Sequence, residues 1–241
     1  MILYLDCLRG INAVSALAAV IDAGVDPSIL AERLRFLPGD VGVDAAETTI
    51  DGFRVRSLEV AAADLTDRRT LADVVELVDA ADLPEGARSF VLGVYERIAS
   101  AEARVHGSTL EGVTFNEVGR PRSVVAVLGL AIALEVLGVR SVTASPVPVG
   151  AGMVETAHGR LPVPTPATIE LLRDVPVQES AISGELVTPT GAAIVAELAT
   201  SFGPVPSMTV ERIGYGADGH RTPALITRVV VGSPPVSRPS T

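Results

Sequence analysis

The stretch 113–137 constrains this chain more than any other. It opens as Val113-Thr114-Phe115-Asn116-Glu117-Val118-Gly119 and turns at Arg120-Pro121. It then continues with Val124, Val125, Val127, Leu128, Leu130, Ile132, Leu134, Val136 and Leu137. At helical spacing these side chains cover almost the whole circumference, so the helix belongs inside the molecule. The run is shorter than the ~20 residues a bilayer crossing needs, and Glu135 interrupts it. A buried helix entered through a Glu-bearing turn can wall a site, because its first turn leaves N–H groups free for anions.

Length allows one large domain or two small ones, with a substantial core. Residues are 48% hydrophobic but only 3% aromatic, so that core is built from Ala, Val and Leu. No lysine occurs, and all 19 basic residues are arginine. This excludes a phosphate loop ending in Gly-Lys and any Schiff-base lysine or pyridoxal chemistry. The formal charge of −10, with no basic cluster to offset it, argues against a nucleic-acid partner. Cys7 is the only cysteine, which rules out an internal disulfide, a Cys-based zinc site and an iron–sulfur cluster. No basic leader precedes an apolar run, and nowhere do ~18 uninterrupted apolar residues occur. A soluble, cytoplasmic protein without a membrane partner is expected.

Taken in order, Ile2-Leu3-Tyr4-Leu5 reads as a buried strand leading to Asp6. An Ala-rich helix over 11–23 stops at Gly24, and Asp26-Pro27 starts another to about Phe36. Residues 40–61 read as a hairpin turning at Asp51-Gly52. Helices follow over 70–81 and 86–105, the second stopped by Gly107. After the central helix and Gly138, 141–145 is a strand. Residues 146–167 are rich in Pro and Gly and read as a long irregular stretch, which in a compact domain is more often functional than filler. Helices are expected from Thr165-Pro166 to Leu172 and from Thr190-Gly191 to about Ser201, then a β run over 224–231. Residues 214–219 match the dinucleotide fingerprint by letter, but Pro223 and a β run follow where a helix is required, so they read as a glycine-rich turn between strands. The alternation predicts the α/β class, a single domain over 1–232 with a mixed sheet flanked by helices. Residues 233–241 are expected to be a disordered Pro/Ser tail.

Several residues carry chemistry in this pattern. Glu117 can ligate a metal or act as a general base, or it can cap the turn before the central helix. His158, in the Pro/Gly-rich stretch, can bind a metal or phosphate, or bond to backbone. His106 closes a helix, where a protonated imidazole is favoured by the dipole, and it can also bind a metal. His220 reads as a surface residue. Thr188, Thr190 and Gly191 place hydroxyls and free N–H groups at a helix start, suited to phosphate or to ordinary capping. Glu185 can contact a cation or a sugar hydroxyl. Asp6 stands where α/β sheets place ligands, or caps the helix after Gly10.

The ordered motifs resemble LarC-type nickel-insertion proteins. They are Tyr4-Leu5-Asp6 with Gly10, 101–107, Glu117-Val118-Gly119 with its helix, 157–168, 185–191 and 214–216. The likeness spans nearly the whole chain. It implies a lyase-like, cyclometallase-type insertion of nickel (Ni2+) into a nucleotide-type cofactor precursor, with His106, His158 and Glu117 as metal ligands. On this reading the candidate catalytic groups are Asp6 and Glu117, and the residues' own chemistry makes Thr188, Thr190, Gly191, Glu185 and Arg122 the candidate substrate-binding ones. It further implies a cytidine nucleotide with a divalent cation, held by a C-terminal domain that a separate chain would supply, and it admits a homo-oligomer.

The departures are specific. Thr114 and Asn116 stand where the family carries His, Arg122 and Ala126 where it carries Asp, Ala13-Val14-Ser15 where it reads Gly-Asp-Met, and Arg68-Arg69 where it has His-Arg. A guanidinium at 122 repels a cation and attracts an anion, which favours phosphate or carboxylate binding over metal. Two readings follow: a nickel-inserting relative, or a ligand-binding, subunit-like relative that lost the metal site. A third, an unrelated enzyme on the same fold, would use Asp6 and Glu117 as acid and base.

Overall fold

The computed structural model describes residues 1–39, 41–62, 69–156 and 158–235. In chain order, β1 is Ile2–Arg9, α1 Ala13–Asp22, α2 Pro27–Arg33, β2 Gly42–Ile50, β3 Phe53–Ala61, α3 Leu71–Ala80, α4 Glu85–His106 and α5 Pro121–Val136. Then come β4 Ser141–Ala144, β5 Val147–Pro148, β6 Gly150–Ala151, β7 Met153–Thr156, β8 Gly159–Pro162 and α6 Pro166–Leu171. The remainder is β9 Val177–Gln178, β10 Gly184–Glu185, α7 Pro189–Leu198, β11 Ser201–Phe202, β12 Thr209–Asp218 and β13 Leu225–Ser233. The main sheet has seven strands in the order β11-β4-β1-β13-β12-β3-β2. It is mixed, as expected: β1 runs parallel to β4 and β3 to β12, while β13 is antiparallel to both its neighbours.

Local chemistry explains most boundaries. Asn12 caps α1 reciprocally with Ser15, so the helix starts where its Ala-rich run starts. Asp26 caps α2 through the Ser28 N–H at 2.9 Å, with Pro27 in the first turn. Gly107, at φ 63°, ends α4 in the left-handed region. Asp51 and Gly52 both have positive φ, the signature of the tight turn joining β2 to β3.

Helix α1 lies directly on the sheet, and α5 packs on α1 and in turn against α4. The expected buried helix is α5, whose residues 124–134 are all buried. What lets α1 sit so low is β12. A Cβ on Gly214 would meet the Ala19 carbonyl oxygen at 2.0 Å, and one on Gly216 would meet the Ala19 nitrogen at 2.1 Å. Residues 214–218 are therefore strand, not the turn the sequence pattern indicated. The glycines serve close helix–sheet approach rather than reversal.

Other expectations shift as well. Strand β1 runs on to Arg9, placing Asp6 inside it, and the cap of the next helix is Asn12. The described part of 146–167 is less irregular than expected. It holds β5, β6 and the β7–β8 hairpin, pieces too short and too rich in Gly and Pro to show a period in sequence. Helix α7 begins at Pro189 with Thr188 as its cap, and ends at Leu198 before the short strand β11. Ser233 closes β13, and the tail expected beyond it falls largely outside the described residues. Gly216→Ala is expected to destabilise the fold by about 3 kcal/mol, since the backbone atoms it meets cannot give way. A urea unfolding midpoint checks this.

Candidate functional site

The loops after β1, β12 and β10 meet the start of α5 at one end of the sheet. Asp218, the last residue of β12, is 1% exposed and gathers the cluster. Its carboxylate accepts both forks of Arg122, at 2.9 and 3.0 Å, from the first turn of α5. It also accepts the Asn12 amide at 2.7 Å and the His220 backbone N–H at 3.2 Å. Burial pushes the Asp218 carboxyl up, but these donors, Arg122 foremost, pull it further down, to a net lowered value. Arg221, three residues on, pairs with Glu185, whose side chain is 9% exposed. Burial raises the Glu185 carboxyl; Arg221 opposes this, and the nearby Glu117 charge adds to it. The result is two guanidinium groups about a third exposed, each fixed by a buried acid, with the Glu117 carboxylate near Glu185.

Glu117 itself is exposed, and its segment is held by backbone rather than by its side chain. The Tyr95 hydroxyl donates to the Val118 carbonyl at 3.3 Å, and Arg69 donates to the Gly119 carbonyl at 2.7 Å. The Ser123 hydroxyl donates to the Glu117 carbonyl at 3.2 Å. Among the described residues no hydrogen bond or ion pair engages the carboxylate, which stands exposed on this backbone-held turn.

Thr188, Thr190 and Gly191 lie below this cluster and are buried. The Thr188 hydroxyl accepts the Gly191 N–H at 3.1 Å, and a Cβ on Gly191 would strike the Ile11 carbonyl at 2.2 Å. With the Thr188 N–H donating to the Ile11 carbonyl, this corner seats the residue that precedes Asn12. Asp6 is not part of the group. It pairs with Arg228 across β1 and β13, on the sheet face turned away from α1. His106 and His158 form a second focus, their ring centroids 4.7 Å apart, with the Glu102 carboxylate 3.2 Å from His106. Among the described residues no three His, Cys, Asp or Glu side chains converge as a ready metal site. His220 is exposed and pairs with Glu59 at 2.7 Å. Cys7 is buried, and burial pushes its thiol up to about 12, so it stays protonated.

A family model described as "Nickel insertion protein" matches residues 3–239. The chain belongs to that family. A "Putative nickel insertion protein" of Geobacter metallireducens is 43% identical over 219 residues, covering 90% of this chain and 56% of that protein. A "Pyridinium-3,5-bisthiocarboxylic acid mononucleotide nickel insertion protein" of Desulfitobacterium hafniense is 40% identical over 221 residues, covering 89% and 54%. Its namesake in Staphylococcus epidermidis is 38% identical over 216 residues, covering 89% and 55%. The chain spans about half the length of the curated relatives it matches. No solved structure matches it.

In this nickel insertion family member, the positions where Asp was expected fall around the same corner. Val14 and Ala126 are buried where α1 meets α5, and Arg122 reaches Asp218 instead. Asn12, Asp218 and Arg221 were missed from sequence; Asn12 could have been found as the cap of an Ala-rich helix. A cavity of about 580 Å3 opens at the far end of α5, near Phe90, Leu134 and Val142. It holds none of these groups, and the paired charges mark the sheet end as the better candidate. Asp218→Asn is expected to cost about 2–3 kcal/mol near neutrality, by leaving Arg122 without its anion. Because the folded carboxyl lies below its unfolded value, that contribution is complete above the unfolded range and fades as pH falls through the folded value. The gap to wild type should narrow in urea titrations taken from about pH 5 to about pH 2.

Proposed function

We propose that this chain binds a pyridinium-type mononucleotide at the Asp218 corner and takes part in inserting nickel into it. The observation that carries the reading is the alternation of charge there. Arg122 and Arg221 are cations fixed in place, and Glu185 and Glu117 are carboxylates beside them. The compound named for the relatives combines a cationic ring with thiocarboxylic acids and, as a mononucleotide, a phosphate. A guanidinium already held by one carboxylate keeps further N–H donors for an oxyanion, and its orientation costs little to fix on binding. The carboxylates then face the positive ring. Thr188 and Gly191 support the site by seating Ile11 and Asn12 beneath it.

Nickel is the cargo in this reading. Imidazole nitrogen and sulfur donors both suit it, so His106 and His158 are apt to hold it before the ring acids take it. Where nickel replaces a ring hydrogen, a base must take the proton. Glu117, exposed on a turn whose carbonyls are hydrogen-bonded, is our candidate for that role. We assign the cytidine nucleotide and its divalent cation to the portion of the relatives that this chain does not match. The alternative of a relative without metal chemistry gains no supporting observation.

Nicotinic acid mononucleotide serves as a probe, carrying the cationic ring, one carboxylate and the phosphate. Arg122→Lys and Arg221→Ala are each expected to weaken its binding about tenfold in calorimetry, or about 1.4 kcal/mol. Melting curves run alongside confirm that both variants fold. Affinity unchanged in both, or no binding by wild type at millimolar probe, would sink the proposal.

A further inference from the structure

We propose that the open half of strand β12 is a self-pairing edge, through which two copies of this chain join antiparallel about a two-fold axis. Strand β13 lines one side of β12 along its length, but β3 covers the other side only at Gly216 and Ala217. Among the described residues, 209–213 have no strand beside them there. Every residue of that run is exposed, and its apolar members Val210 and Ile213 are 49% and 48% exposed. A bare edge carrying apolar side chains is a template for another strand.

Charge decides which strand fits. Glu211 and Arg212 stand side by side on this edge, and among the described residues neither has an ion pair or a side-chain hydrogen bond. The Arg212 guanidinium only lies over Gly24, at the end of α1. An antiparallel pairing centred between the two sets Glu211 against Arg212 of the second copy, and Arg212 against its Glu211. The same register sets Val210 against Ile213 of the second copy. An axis through Glu211, or through Arg212, would instead oppose like charges. One register therefore satisfies both unpaired charges and covers both apolar side chains.

The backbone agrees with that register. The Tyr215 N–H points out of the β12–β13 ladder, donating to the Asp22 carboxylate at 3.0 Å. Groups alternate along an antiparallel ladder, so Ile213 also turns its N–H and C=O to the open side. Val210 faces Gly232, Arg212 faces Val231 and Ile213 faces Val230, so Glu211 is an extra residue in β12. That bulge restores the parity, and Val210 points outward as Ile213 does. A bulge commonly turns an edge away from partners. Here it sits at the axis, where both copies carry it, so the two bends match. Asp218 is at the far end of the same strand, so each copy keeps its candidate site open.

The test is sedimentation of the 241-residue chain over a range of concentrations, with amide exchange across 209–214 measured alongside. A single added strand is smaller than a permanent interface, so we expect dimers to appear by about 100 μM, with slowed exchange at Ile213. Glu211→Arg and Arg212→Glu each oppose like charges and should weaken dimerisation at least about tenfold. Mixed in equal amounts, the two variants again meet opposite charges and should associate as wild type does. Both side chains are exposed, so circular dichroism should show an unaltered fold. A wild type that stays monomeric at that concentration overturns the proposal. So do dimers indifferent to both reversals, a mixture that stays monomeric, or Ile213 exchange unchanged on dimerisation.

Discussion

Helix α1 rests on bare backbone. Gly214 and Gly216 of β12 leave no room for a side chain under Ala19, so the helix axis is set by contact between main chains. That closeness also fixes rotation. It turns Ser15 to meet Thr227 at 2.8 Å and places Asn12 where its amide reaches Asp218. With α1 locked, α5 has one surface to pack on, and Arg122 at its start is delivered to the same carboxylate. The core and the polar corner are thus consequences of one approach distance.

The polar corner illustrates how charge survives next to an aliphatic interior. Asp218 is nearly inaccessible, and an isolated carboxylate there would be neutral or would unfold the strand end. Four donors from three segments make the charged form the favoured one. Glu185 is treated differently: it has one arginine, much burial and a second carboxylate near it, and its carboxyl moves the other way. Two acids that each hold an arginine at the same corner are therefore tuned in opposite directions. Such divergence is common where a site must hold one charge and move another.

The likeness to the nickel insertion family and the substitutions within it are compatible in these physical terms. Where the resemblance expects Asp at 122, an arginine at the start of α5 joins an acid at the end of strand β12, and the corner keeps a mixture of signs. The buried helix, the cap at Asn12 and the Thr188 corner do not depend on which sign stands at that point. They preserve the geometry while the charges above them change.

Much of this was legible in the chain. The hydrophobic circumference of 124–134 indicated a buried helix; Asp26-Pro27 and Gly107 marked helix ends; Asp51-Gly52 marked the hairpin. Those are local signals, and the forces behind them act within a turn or two. The glycine run at 214–216 was misread because a glycine in a strand and a glycine in a turn look alike until the overlying helix is present. For the same reason Asp218 and Arg221 escaped notice, whereas Arg122, Glu185 and Glu117 could be singled out but not joined. Sequence determined which residues could carry charge and where helices begin. Only the tertiary structure decided which charges share a carboxylate, because ion pairing depends on distances of a few ångströms between segments far apart along the chain.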